Sequence, residues 1–155
     1  MPGRYKGSPG EVLALGAYVK LERAASSVGG ALAPHIAAAG LSESQFGVLE
    51  ALLHLGPMHQ CDLADRILKS SGNMTLVIRN LEKRGLVRRE RSAVDRRFNR
   101  VHLTAEGERL VRAVFPPHAV RIMGLMGALT AAEQRTLARL CRKLGLAAAG
   151  TGAAA

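Results

Sequence analysis

The chain has 155 residues, 48% of them apolar, enough to bury one sizeable core but too few for two independent enzyme domains. A formal net charge of +10 exceeds what solubility needs and points to a polyanionic partner, either nucleic acid or an anionic membrane surface. There is no apolar run of about 18 residues, no apolar leader, and only two widely separated cysteines, Cys61 and Cys141. The expectation is therefore a soluble cytoplasmic protein without a spanning helix, disulfide framework, metal or cofactor.

Abundant alanine and only 3% aromatic residues favour closely packed helices over a β-sandwich, so the expected class is mainly α. Ser8-Pro9-Gly10-Glu11 opens the first helix with a hydroxyl N-cap, proline at the first helical position and an acid three residues after the cap. An alanine-rich helix is expected from there to about residue 38, with Val12, Leu15, Val19, Leu32 and Ile36 at helical spacing. Gly29-Gly30 and Pro34 are its expected bend points. Ser42-Glu43-Ser44-Gln45 caps a second helix carrying Phe46, Leu49, Leu52 and Leu53, which Gly56-Pro57 ends. Residues 61–68 form a short amphipathic helix, a Ser/Gly turn follows, and helical periodicity resumes until Gly85. Two short helices joined this way read as a helix-turn-helix.

Residues 86–91 and 98–103 are strand candidates flanking Ser92 to Arg96, a hairpin directly after the second of those helices. Thr104 then caps a helix expected to kink or restart at Pro116-Pro117. Thr130-Ala131-Ala132-Glu133 caps the last one, which carries Leu137, Leu140 and Leu144 to Gly145; residues 147–155 are expected to be a disordered tail.

On the helix from Ser71, a projection at about 100° per residue puts Met74, Val77, Ile78 and Leu81 in one arc and Gly72, Thr75, Leu76, Arg79 and Lys83 roughly opposite. The first arc is core. The second suits a major groove, where arginine reaches guanine or phosphate and an apolar side chain meets a thymine methyl. Small residues at the helix start, Ser70, Ser71, Gly72 and Asn73, let backbone N–H groups approach phosphate. Six arginines then fall within the thirteen positions 88–100. Arg96 and Arg97 at the hairpin tip suit a narrow minor groove, with Asp95 fixing them through a carboxylate–guanidinium pair. The alternative for both features is a solvated, charged surface.

The order of a helix-turn-helix followed by "NMTLVIRNLEKRGLVRRERSAVDRRFNRVHLTAEG" resembles the MarR family of winged-helix transcription regulators. The stretches "LSESQFGVLEALLHLGP" and "ALTAAEQRTLARLCRKLGL" resemble that family's second and last helices, so the likeness covers residues 41–146. It implies a winged helix-turn-helix at 41–103 with a small β-hairpin wing, and a helical dimerisation lobe from 8–40 and 104–146. It also implies a homodimer on palindromic double-stranded DNA. The DNA-contacting residues would be Ser70 to Thr75 and Arg79, with Arg96 and Arg97 at the wing and Asp95 as their organiser. The chain departs from many members at Leu76, Arg79 and Asn80, so no operator sequence follows from the likeness.

Members of the family commonly respond to small aromatic acids and phenols, or to oxidants. By resemblance, Tyr18, His35, Phe46 and His54 are candidates to line an effector pocket, the alternative for each being an ordinary core or interface residue. Some members answer to quinones, which singles out Cys61 near the start of the third helix, where the positive helix end favours a thiolate. Its alternative is a small buried apolar residue, and Cys141 is expected to pack. The His59-x-Cys61-Asp62 cluster lacks a matching set of ligands elsewhere and is not read as a metal site. With no phosphate loop, nucleophile elbow or paired acids, an enzyme is not expected. The leading expectation is a dimeric sequence-specific repressor released by an aromatic ligand or an oxidant; the alternative is a sequence-nonspecific architectural nucleic-acid binder.

Overall fold

The hydroxyl caps expected at Ser8, Ser42 and Thr130 form. Ser8 and Ser42 each accept from the backbone N–H three residues on, while the Glu11 and Gln45 side chains return to the cap N–H. The Thr130 N–H donates to Glu133 Oε2 at 2.7 Å, and the Glu133 N–H donates to Thr130 Oγ1 at 3.3 Å. The backbone N–H of Ser8 and of Thr130, reinforced by the hydroxyls, holds the Glu11 and Glu133 carboxyls below their ordinary range.

The computed structural model of the chain describes residues 5–67, 71–91, 93–94 and 99–152. Its elements are α1 (Pro9–Ala38), α2 (Glu43–Leu55), β1 (Met58–His59), α3 (Gln60–Ile67), α4 (Ser71–Lys83), β2 (Val87–Arg91), β3 (Asn99–Leu103), α5 (Ala105–Met126) and α6 (Ala131–Gly152). The mainly α class and the winged helix-turn-helix order follow the expectation. The strands form an antiparallel sheet in the order β1-β3-β2, with Val87 opposite Leu103 and Met58 opposite Val101. Strand β1 was not anticipated, since two residues carry no periodicity.

Two compact units divide the chain within α5, after His118. In the first, α2, α3, α4, the sheet and the start of α5 enclose a core in which Val48, Leu49, Leu63, Met74, Ile78, Leu81, Val101 and Val111 are fully buried. Only Ile36 of α1 is buried. Val12, Leu15 and Val19, at the expected helical spacing, are exposed, as is Tyr18. In the second unit the Gln134 amide donates to the Met126 and Leu129 carbonyls, closing the turn before α6. Here too Leu137, Leu140 and Leu144 are exposed along one stripe.

Two expectations are corrected. Helix α5 continues through Pro116-Pro117 without restarting; two adjacent prolines remove only two N–H donors, and the buried side chains of Val114 and His118 on either side hold the helix against the core. Helix α6 extends to Gly152, into the expected tail, because Ala147 to Ala149 are strong helix formers.

The junction of the sheet with α5 explains the Leu103-Thr104-x-x-Gly107 pattern. Thr104 Oγ1 donates to the Gly85 carbonyl at 2.6 Å and accepts from the Gly107 N–H at 3.1 Å, while the Thr104 N–H donates to Leu86. Gly85, at φ +69°, ends α4 in the left-handed region. A Cβ on Gly107 would lie 1.9 Å from the Leu86 carbonyl oxygen, so only glycine lets α5 start against that backbone. Gly107→Ala is expected to lower unfolding free energy by about 2–4 kcal/mol. Urea denaturation showing a change within about 0.5 kcal/mol would contradict the close approach.

Candidate nucleic-acid interface

Helix α4 presents the two faces that its periodicity dictates. Met74, Ile78 and Leu81 are buried completely and Val77 partly, while Thr75, Leu76, Arg79 and Lys83 are exposed. Leu76 is 54% exposed between cationic and hydroxyl neighbours, so the outward face carries one apolar contact among hydrogen-bond donors. Asn73 is also exposed. The backbone of Ser71 and Gly72 forms the first turn of α4. Ser70, Asp95, Arg96 and Arg97 lie outside the described residues.

Three side-chain contacts fix the orientation of α4. Near its start, Gln60 Nε2 at the head of α3 donates to Thr75 Oγ1 at 2.7 Å. Toward its end, Glu82 receives both the backbone N–H of Arg89 at 3.1 Å and its Nε at 2.8 Å, with a further guanidinium contact at 2.6 Å. Just past its end, Arg84 donates to the Gly40 carbonyl at 2.7 Å, between α1 and α2. The Glu82–Arg89 pair ties the helix to the first strand of the hairpin. Both side chains are about two-thirds covered, which places the pair above an ordinary exposed ion pair in strength.

The sequence singled out none of Gln60, Glu82 or Arg84, and counted Arg89 only as one of the six arginines of the hairpin. Each acts through a residue on another element, and spacing within one element does not reveal that. The arginine excess is thus partly structural. Arg89 is a strut, Arg100 donates through Nε and Nη2 to the Pro57 carbonyl, and Arg88 pairs with Glu90 at 3.0 Å. Strand register puts Arg88, Glu90, Arg100 and His102 on one face of the sheet. His102 Nε2 lies 3.2 Å from Glu90 Oε2 without hydrogen-bond geometry. Partial burial, followed by the positive charge of Arg88, lowers its pKa; Glu90 opposes the shift and Arg100 adds to it.

This architecture coincides with that of known regulators. The MarR family model matches residues 41–98. The HTH-type transcriptional regulator MhqR of Bacillus subtilis is 33% identical over 83% of this chain and 89% of its own length. This chain belongs to the MarR family. Among solved structures, BpsR of Bordetella bronchiseptica is 27% identical with a TM-score of 0.75, covering 83% of this chain and 98% of that one. AbsC of Streptomyces coelicolor, 21% identical, shares the fold at a TM-score of 0.82 over 96% and 99% of the two chains. The protein is therefore a MarR-family DNA-binding transcription regulator with a winged helix-turn-helix fold, and its curated relatives are transcriptional regulators.

The effector-pocket candidates do not converge on one cavity among the described residues. His35 and Phe46 meet around a third residue, His118, with ring centroids 5.9 and 4.7 Å from it. His54 packs edge-on against Phe115 at 4.5 Å and borders a separate groove of about 360 Å³ beside Glu50 and Arg66. Tyr18 is 59% exposed on α1. Cys61 is exposed on α3, its Sγ 3.9 Å from Asp62 Oδ1, which removes the buried-residue alternative; Cys141 is also exposed. Among the described residues no three His, Cys, Asp or Glu side chains come together to hold a metal, and no helix is long and apolar enough to cross a membrane.

If the Glu82–Arg89 pair is a strut, Glu82→Gln and Arg89→Gln should not be independent. A double-mutant cycle in unfolding free energy is expected to give a coupling of about 1 kcal/mol, and strictly additive costs would remove the strut.

Proposed function

We infer that the protein is a homodimeric, sequence-specific repressor that binds a palindromic operator and is released by a small hydroxylated aromatic ligand or by an oxidant. The observation that carries the DNA reading is the outward face of α4, on a helix fixed at both ends, in a chain of net charge +10. Thr75, Leu76, Arg79 and Lys83 read the major groove. Ser70, Ser71, Gly72 and Asn73 offer the helix start to phosphate. Arg96 and Arg97, organised by Asp95, enter the flanking minor groove.

Dimerisation rests on the apolar side chains that the single chain leaves exposed. Leu13 at 76%, Leu15 and Val19 lie on α1, and Leu140, Leu144 and Leu146 on α6. Apolar faces of this extent mark an association surface, and a second copy supplies the matching face by symmetry. Residues 8–40 and 104–146 then form the dimer lobe and 41–103 the DNA-binding lobe, in a cytoplasmic protein. Two recognition helices of such a dimer enter successive major grooves about 34 Å apart.

The effector class rests on likeness and accessibility. BpsR is a protein whose DNA binding is regulated by 6-hydroxynicotinic acid, a hydroxylated aromatic acid. The exposed Cys61 thiol is the site for the oxidant alternative.

Selection of bound duplexes from a random pool at physiological salt, with and without phenolic acids and quinones, tests this reading. An enriched palindrome lost on adding one effector supports it. Recovery of no preferred sequence would favour an architectural, nonspecific binder instead. On the selected duplex, Arg79→Ala is expected to cost about 1–3 kcal/mol, concentrated at particular base pairs. A loss uniform over all base substitutions would remove Arg79 as a base reader. Cys61→Ser is expected to abolish oxidant-driven release, and release unchanged in that variant would exclude the thiol.

A further inference from the structure

Helix α5 crosses from one compact unit into the next at a chemically weak place. Pro116 and Pro117 have no N–H, so the carbonyls of Arg112 and Ala113 lose their ordinary helical donors. The next residue, His118, is the last of the first unit. What holds this turn is side-chain packing across three helices. His118 is 6% exposed, its ring edge-on to Phe46 of α2 and stacked on His35 of α1 with an interplanar angle of 17°. His35 in turn donates from Nε2 to the Val114 carbonyl at 3.2 Å, since a carbonyl can only accept. His118 Nδ1 is buried with no hydrogen-bond partner among the described residues.

We propose that the stacked His35–His118 pair is a proton-sensitive joint through which mild acidity loosens α5 from α1 and α2 and weakens DNA binding. The DNA arm of this inference rests on the dimeric reading above; the loosening of the joint does not.

The neutral pair is a packed aromatic contact. Adding a proton to His118 creates a buried cation whose Nδ1–H has no acceptor among the described residues, 5.9 Å from a second imidazole ring. The titratable groups facing it are His35 from α1 and Glu50 from α2, while His54 of α2 packs one turn earlier against Phe115. Burial is the largest influence and lowers the His118 pKa below its ordinary 6.5; Glu50 opposes it and His35 reinforces it. The sign follows from linkage. The unfolded or loosened chain binds the proton more readily, so the joint's contribution is complete above the ordinary value and is lost as pH falls from 6.5 toward the depressed one. The His35–Val114 bond survives protonation, because Nε2 still donates. The stack is what fails.

The test measures heat unfolding of the full chain, and affinity for the selected duplex, between about pH 8 and about pH 5.5. The wild-type protein is expected to lose about tenfold in affinity across this range, with a falling unfolding midpoint. His118→Phe keeps a ring against Phe46 but takes no proton. It is expected to retain affinity at the alkaline end and to lose most of the acid response. Should His118→Phe fail to fold, His35→Gln keeps a donor toward Val114 while removing the second imidazole, and it is expected to shrink the response. An acid response in His118→Phe equal to that of wild type would overturn the joint. So would a His118 ring that titrates in NMR spectra at the ordinary histidine value. Absence of DNA binding at every pH would instead sink the regulator reading, and the unfolding arm would still decide the joint.

Discussion

Everything that the DNA-binding unit does depends on how α4 is seated. Three side chains one turn apart, Met74, Ile78 and Leu81, are withdrawn completely from solvent, and this alone fixes the rotation of the helix about its axis. Burial is non-directional, however, and does not set the tilt of the helix or its position along the axis. Those are set by polar contacts at its ends. Gln60 holds the first turns, and Arg84 and Glu82 hold the last, each reaching a different element. A helix fixed in this way presents Thr75, Leu76 and Arg79 as a rigid array, which is what discrimination between base pairs requires.

The same logic divides the cationic surplus. A net charge of +10 invites the view that every arginine in the hairpin meets phosphate. Yet Arg89 and Arg100 are spent on Glu82 and on the Pro57 carbonyl, so they brace the strands that carry the others. Guanidinium suits this use, because its fixed fork can satisfy a backbone or carboxylate acceptor at more than one point. Strand β1 gains its place the same way: Met58 and His59 pair with β3, and the carbonyl just before them takes two bonds from Arg100.

Legibility in the sequence tracked the range of each interaction. The caps at Ser8, Ser42 and Thr130 were readable because donor and acceptor lie within one turn of each other. The two faces of α4 were readable because a single helical period generates both. The MarR likeness was carried by local patterns too, and the Leu103-Thr104-x-x-Gly107 pattern has its physical reason in one close approach to Leu86. Gln60 with Thr75 and Glu82 with Arg89 were not readable, since their pairing exists only after separate elements have docked. The continuity of α5 through two prolines failed for the complementary reason: the local rule was sound, but packing by residues distant in sequence outweighed it. His118 shows this most plainly. Nothing in "FPPHAV" distinguishes it from a surface histidine until α1 and α2 bring His35 and Phe46 against it.

A regulator released by an effector, as proposed above, must couple a site that senses to a site that binds, and α5 is the element best placed to do so. Its first residues are bonded through Thr104 to the turn that ends α4, and its later residues leave the unit altogether. A perfectly regular helix would transmit any displacement along its length without a threshold. One with two missing donors at Pro116-Pro117 depends there on side-chain packing, and packed interiors switch between discrete arrangements instead of deforming continuously. The turn that packing must hold is also the one bordered by His35 and Phe46 and, one turn earlier, by Phe115 and His54. Two of the four residues singled out as effector candidates, His35 and Phe46, therefore border the turn of α5 that lacks two helical donors, and a third, His54, packs one turn earlier. On the proposal above a proton bound at His118 acts on that packing, and a differential of about 1.4 kcal/mol between the two arrangements changes occupancy tenfold.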